Sequence, residues 1–203
     1  MIGLLYEESL RGAAVEIEHD DGTRRPLDSA RWLGVAPGDE AILSRCLAPV
    51  LDVGCGPGRF TVELTRRGVP TLGIDITPHA VHLTRRAGGL VLCRDVFGPV
   101  VGSGHWATAL LADGNIGIGG DPHALLRRVR ELVRPGGQVI AEVEPPGVAS
   151  RVDRLRLCGL GLTGEWFTWA RVSVTDLPGI ARPAGFPEIE SWQARGRWFA
   201  RLR

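Results

Sequence analysis

"VLDVGCGPGRF", residues 50–60, sets an apolar run ending in an acid directly before three alternating glycines and a helix-like segment. A strand that closes at Asp52 and turns through Gly54, Gly56 and Gly58 into a helix suits a ligand. Glycine admits positive φ and close backbone approach, and the helix N-terminus offers free N–H groups. The pattern points to an adenosine-bearing cofactor. A dinucleotide fingerprint would need glycine at position 59 or 61, where the chain has Arg59 and Thr61, so NAD and FAD are disfavoured. An ordinary tight strand-to-helix turn uses the same glycines, and the stretch alone leaves the ligand open.

Outward from this turn, short apolar runs alternate with amphipathic ones from Leu47 onward, the signature of β-α-β units and a parallel sheet. Strands are expected at 50–53, 71–74, 90–93, 107–111 and 138–143. "RFTVELTRRG" puts Phe60 and Leu64 on one helical face and stops at Gly68. "TPHAVHLTRRAGG" and "DPHALLRRVRELVRPGG" share a grammar of cap (Thr77, Asp121), then proline (Pro78, Pro122). In the second, Leu125, Leu126, Val129 and Val133 form the buried stripe. "AAVEIEHDDGTRRPLD" predicts a hairpin turned at Asp21-Gly22, and "RVDRLRLCGLGLTGEWFTWARVSV" a second hairpin of period two. "PEIESWQA" and "RGRWFARLR" predict a closing strand pair.

Each parallel strand delivers an acid at its carboxyl end, where open α/β sheets bind ligands. "LGID" places Asp75 to accept both ribose hydroxyls, because an ionised carboxylate offers acceptors only. "CRDV" places Asp95 to accept from an adenine amine, with Val96 near the ring, and the fourth strand ends "LLADGN". Each acid alone has a structural alternative: Asp52 bonding loop amides, Asp75 capping the next helix, Asp95 opening a turn.

Through "VLDVGCGPGRF", "LGIDIT", "LCRDVF", "ALLADGN" and "LVRPGGQVIAEVEP", in order and spacing, the chain resembles the class I S-adenosylmethionine-dependent methyltransferases. The resemblance implies a Rossmann-like, seven-stranded, mostly parallel α/β sheet whose last strand is antiparallel. It implies S-adenosylmethionine as cofactor and S-adenosylhomocysteine as product. Asp52, Gly54, Cys55, Gly56 and Gly58 would then surround the methionine end, Asp75 and Ile76 the ribose, and Asp95 and Val96 the adenine. Asp113 and Gly114 would border the methyl-donor pocket. A single domain over 1–203 is expected: an N-terminal substrate or lid segment (1–37), a cofactor-binding core (38–145), an inserted hairpin and helix (146–180), and the closing strand pair (181–203).

Composition narrows the alternatives. All 24 basic residues are Arg, which removes the P-loop lysine and the Schiff-base lysine of pyridoxal enzymes. A net charge of +1 and an Asp113-Gly114-Asn115-Ile116 stretch, in place of the Asn/Asp-Pro-Pro-aromatic tetrad of many nucleic-acid amine methyltransferases, argue against nucleic acid. Cys46, Cys55, Cys93 and Cys158 form no C-x-x-C pair, and His79 with His82 lacks a third ligand, so no metal site is expected. No apolar run is long enough for a membrane span, and Glu7 and Glu8 stand where a signal peptide would be basic, so the expected location is cytoplasmic.

Methyl transfer first needs in-line positioning of a nucleophile, with a base only where that nucleophile is protonated. Asp113, Asn115 and Glu144 are the catalytic candidates. Tyr6, Arg11, Trp166 and Trp169 are the candidates for an acceptor mouth suited to a planar or apolar small molecule of specialised metabolism. The same aromatic residues could pack a hairpin or form a dimer seam, leaving monomer and homodimer open. A cofactor-binding enzyme with non-methylating chemistry and a non-catalytic regulatory subunit also stay open.

Overall fold

The computed structural model describes residues 3–203. Helix α1 (Gly3–Leu10) precedes β1 (Val15–His19) and β2 (Arg24–Pro26), a hairpin turned at Asp21-Gly22 as expected. The Thr23 amide and hydroxyl both donate to Asp21 Oδ1, at 2.8 and 2.6 Å, which closes the turn. A 3-10 turn (Ser29–Trp32) and α2 (Glu40–Leu43) lead to the alternating core. The core comprises β3 (Val50–Val53), α3 (Arg59–Arg66), β4 (Thr71–Asp75), α4 (Pro78–Arg86), β5 (Val91–Cys93), β6 (Trp106–Leu111), a glycine-rich 3-10 segment (Asn115–Gly120), α5 (Pro122–Leu132) and β7 (Val133–Val143). Then follow β8 (Arg151–Gly159), β9 (Leu162–Thr163), β10 (Phe167–Arg171), α6 (Leu177–Ala181), β11 (Ile189–Ala194) and β12 (Arg197–Leu202).

Seven strands form the main sheet in the order β11-β12-β7-β6-β3-β4-β5. From β7 to β5 all neighbours are parallel, and β12 runs antiparallel to both β7 and β11. Period two divides the strand residues between the faces. Val50, Leu110, Ile140 and Phe199 pack with Ile42 and Leu43 of α2 and Phe60 and Leu64 of α3. Leu51, Leu111, Val139 and Ala141 pack with the α5 stripe Leu125, Leu126, Val129 and Leu132 and with Leu177 of α6. Among the described residues no helix is long and apolar enough to cross a membrane.

Val133 is buried as the stripe requires, yet it is extended rather than helical. It pairs with Trp106, and after an irregular stretch the register resumes at Thr108↔Gln138. Pro135 disfavours helical backbone at Arg134, so the chain must leave α5 before it.

The two hairpins do not stand apart. β8 pairs antiparallel with β1, and β10 with β8, giving a second sheet of order β10-β8-β1-β2 with β9 on the edge of β8. Its inner face packs Val15, Ile17, Leu155 and Leu157 against Leu5 of α1, with Phe167 and Trp169 alongside.

Candidate active site

A cavity of about 680 Å³ lies between the carboxyl ends of β3 to β6 and the inner face of the second sheet. The glycine turn forms its floor. Gly54 and Gly56 take φ of +68° and +54°, and both border the cavity. The Gly54 amide donates to Ile74 O at 2.8 Å, which ties the turn to β4. Gly58 lies outside the cavity: a Cβ there would stand 2.6 Å from Thr84 of α4, so this glycine serves helix packing.

Asp52 is 2% exposed, and its Oδ2 accepts from the Thr61 amide (3.1 Å) and hydroxyl (2.7 Å). Thr61 is in the first turn of α3, whose N-cap Gly58 has no side chain to offer. A strand carboxylate thus replaces the missing cap. Burial pushes its pKa up to about 6, against the hydrogen bonds from Thr61.

Asp75 borders the cavity with Oδ2 accepting from the Gly56 amide (2.9 Å) and Oδ1 from the Thr77 amide (2.8 Å). The expected cap of α4 is reversed: Thr77 makes no side-chain cap bond, and Asp75 takes its amide instead. Burial raises the Asp75 carboxyl above its ordinary range. Asp95 is exposed at the rim, where Oδ1 accepts from the Phe97 amide at 2.9 Å. Ile76 and Phe97 also border the cavity, 60% and 46% exposed, while Val96 is buried. Cys55 also borders the cavity, and burial raises its thiol well above its ordinary range.

Asp113 has φ of +53°, which aspartate tolerates better than most residues, and both its oxygens accept from Arg59 Nη2, at 2.6 and 2.5 Å. Arg59 Nη1 donates to both oxygens of Asp39, at 2.9 and 2.8 Å. Arg197 continues the chain to Asp39 and Glu142, and Glu142 accepts from the Asp113 amide at 2.8 Å. Sequence reasoning missed this network. Arg59 entered it only as an absent glycine, and nothing local marks Asp39 or Arg197 as its partners.

Asn115 borders the cavity, and its Nδ2 donates to Val53 O and Gly54 O, each at 2.9 Å, so it braces the glycine turn. Gly114 is off the cavity wall and accepts from Trp169 Nε1 at 3.2 Å. A Cβ on Gly117 would collide with Ala170 O. Gly117 and Gly120 therefore let β10 approach, whereas Gly119 borders the cavity.

The structure separates the remaining candidates. Tyr6 and Trp169 line the cavity, and Tyr6 meets Trp32 edge-on with centroids 5.9 Å apart. Burial, then the charge of Asp75, raises the Tyr6 hydroxyl well above its ordinary range. Three other candidates stand outside the cavity. Trp166 points outward, under Arg156 and Arg154, because period two sets it opposite Phe167. Arg11, just past α1, is bound to Glu7 and Glu8 of that helix and stays outside the cavity. Glu144 lies beyond the rim, near Arg171, at the bridge to Ser173. Phe167, on the hairpin expected to build the acceptor mouth, lines the cavity, and Arg25, Arg31 and Trp32 line it without having been singled out.

A family model described as a methyltransferase domain matches residues 40–186. The chain is 32% identical over 122 residues to a probable cobalt-precorrin-6B C(15)-methyltransferase (decarboxylating) from Methanothermobacter thermautotrophicus, covering 51% of this chain and 62% of that enzyme. It thus spans less than two thirds of that relative's length. Among solved structures, a methyltransferase from Bacteroides fragilis in complex with S-adenosyl-L-homocysteine superposes with a TM-score of 0.82 at 19% identity, over 98% of this chain and 92% of that one. The 1,6-didemethyltoxoflavin-N1-methyltransferase of Burkholderia thailandensis superposes with a TM-score of 0.59 at 21% identity, over 81% and 73%. The chain belongs to the methyltransferase-domain family, within the class I S-adenosylmethionine-dependent methyltransferases that its ordered motifs resemble.

Proposed function

We propose that this protein transfers the methyl group of S-adenosylmethionine to a small-molecule acceptor. One observation carries the reading: Gly54, Gly56, Asp75, Ile76, Asp95 and Phe97 border one cavity, and an apolar sheet face forms its other wall. The residues fit the cofactor. Each carboxylate oxygen of Asp75 keeps a lone pair beyond its one amide bond, as two ribose hydroxyls require. Asp95 keeps Oδ2 for an exocyclic amine, and the exposed Ile76 and Phe97 offer apolar surface to a purine. The Gly54 and Gly56 backbone leaves room for a methionine chain.

When bound, the cofactor supplies a sulfonium methyl already activated toward nucleophiles. The protein's share is positioning and exclusion of water. Asp113, held by Arg59, fixes the wall beside the glycine turn, and Asn115 fixes the turn itself. Neither has the free geometry of a general base, so we assign both to positioning. Tyr6, Trp32, Phe167 and Trp169 surround the acceptor side with aromatic surface suited to a planar body. The Burkholderia enzyme, whose structure holds 1,6-didemethyltoxoflavin beside S-adenosylhomocysteine, supports a small-molecule acceptor.

Isothermal titration with S-adenosylmethionine and S-adenosylhomocysteine tests the reading. Both are expected to bind, and Asp75→Ala to weaken both by about 10- to 100-fold through loss of charge-assisted hydrogen bonds. Absence of binding by the wild type would sink the proposal. Cofactor consumption without a methylated product would instead favour other chemistry on this fold.

A further inference from the structure

Among the residues of the second sheet that border the cavity, Arg25 alone is charged. Arg25 on β2 is registered opposite Ile17, which is itself opposite Leu157, and residues directly opposite in antiparallel strands share a face. Arg25, Ile17 and Leu157 all border the cavity, as do Leu155 and Phe167 from the next registered pair. Arg25 is exposed and borders the cavity, so its hydrated guanidinium stays charged and open to an anion. Every other arginine of this sheet has a partner. Arg24 and Arg156 pair with Glu18, Arg151 and Arg171 with Asp153, and Arg154 lies over Trp166. Among the described residues Arg25 makes no ion pair, although Asp28 borders the same cavity. Its pKa is lowered by burial and by the like charges of Arg171 and Arg31, against the pull of Asp153.

We infer that Arg25 is the anion-holding residue of the acceptor subsite, and that the acceptor joins an apolar planar body to an anionic oxygen group, a carboxylate or a phosphate monoester. The guanidinium fork matches either group in two parallel hydrogen bonds, and the Ile17, Leu155, Leu157 and Phe167 surface receives the body. This assignment rests on the proposed methyltransferase reading, because it places the acceptor opposite the cofactor wall.

The test uses full-length protein saturated with S-adenosylhomocysteine and titrated with 2-naphthoate, 2-naphthyl phosphate or the neutral 2-naphthamide. At least one anion is expected to bind about tenfold more tightly than the amide, and the tighter anion identifies the group. Arg25→Gln is expected to erase the preference, Arg25→Lys to keep part of it, and S-adenosylhomocysteine affinity to stay at the wild-type value in both. If the wild type does not bind S-adenosylhomocysteine, the methyltransferase reading fails. If it does, and neither anion outbinds the amide, or the preference survives in Arg25→Gln, the assignment of Arg25 is overturned.

Discussion

Arg59 illustrates how a single side chain sets the geometry of the site. Its side chain is 4% exposed and lies between two carboxylates, Asp39 and Asp113, that no lysine could bridge in the same way, because an ammonium lacks the planar fork. Removing the guanidinium leaves the buried Asp39 and the partly buried Asp113 with Arg197 and, for Asp113, the exposed Arg31 as their remaining cations. Arg59→Ala is therefore expected to lower stability by about 3–5 kcal/mol, read as the shift in a urea unfolding curve, and Arg59→Lys to restore only part of it. Asp52 gives a pH signature of its own. Its carboxyl titrates near 6 when folded against an ordinary value of 3.8, so the folded state holds a proton that the unfolded chain gives up. Stability from this group is complete below 3.8 and lost as pH rises through about 6. Asp52→Asn keeps an acceptor for Thr61 without the titration, so its stability relative to wild type should rise between those pH values. A flat difference across pH 3.8 to 6 would rule out that role. The positions of Asp52, Asp75 and Asp95 were legible in sequence because each sits at a strand end within a strand-turn-helix grammar. Arg59's role was not, since its partners Asp39 and Arg197 are brought to it only by folding.

At the level of elements, the strands could be read because period two and bounding glycines or prolines recur, and even the extended Val133 kept its burial while changing its backbone. What the pattern does not encode is which elements touch. Residues 114–120 illustrate the gap: nothing in their spacing marks Gly117 as the point where the backbone of β10 crosses. The obstructing atom is a main-chain oxygen, so no neighbouring side chain can be trimmed to make room. Gly117→Ala is expected to cost about 1–3 kcal/mol and to displace β10. Trp169 follows Gly117 into this contact, and its Nε1 bond to Gly114 O should be lost with it. Loss of that indole signal from its shifted position in a proton-nitrogen spectrum would report the displacement, and an unmoved indole resonance would contradict it. The same substitution at Gly136, where a Cβ meets nothing, carries only the strain of its φ of +71° and serves as a control.

For the whole molecule, the cavity exists because two sheets built from distant parts of the chain close on each other. β1 and β8 pair across more of the sequence than any local signal spans, so two hairpins legible separately could not be read as one sheet. The pairing has a thermodynamic consequence. The main sheet carries its own two-sided core, with Leu110, Ile140 and Phe199 fully buried, whereas the second sheet depends on one apolar face and on α1. A ligand seated between them contacts both and adds its binding free energy to the folded state alone. At a concentration one hundred times its dissociation constant, S-adenosylhomocysteine should stabilise by about 2.7 kcal/mol. For a domain of this size that corresponds to a rise in melting temperature of about 5–10 °C. Asp75→Ala, weakened about 10- to 100-fold, should retain only about 0.4–1.4 kcal/mol of that stabilisation at the same ligand concentration. Hydrogen exchange separates the two sheets: amides of β3 and β6 should exchange only through global unfolding, while those of β1 and β8 should exchange faster in the free protein and slow on ligand binding. Equal protection of β1 and β3 without ligand would mean that the second sheet is as firmly held as the first, and that the ligand does not draw them together.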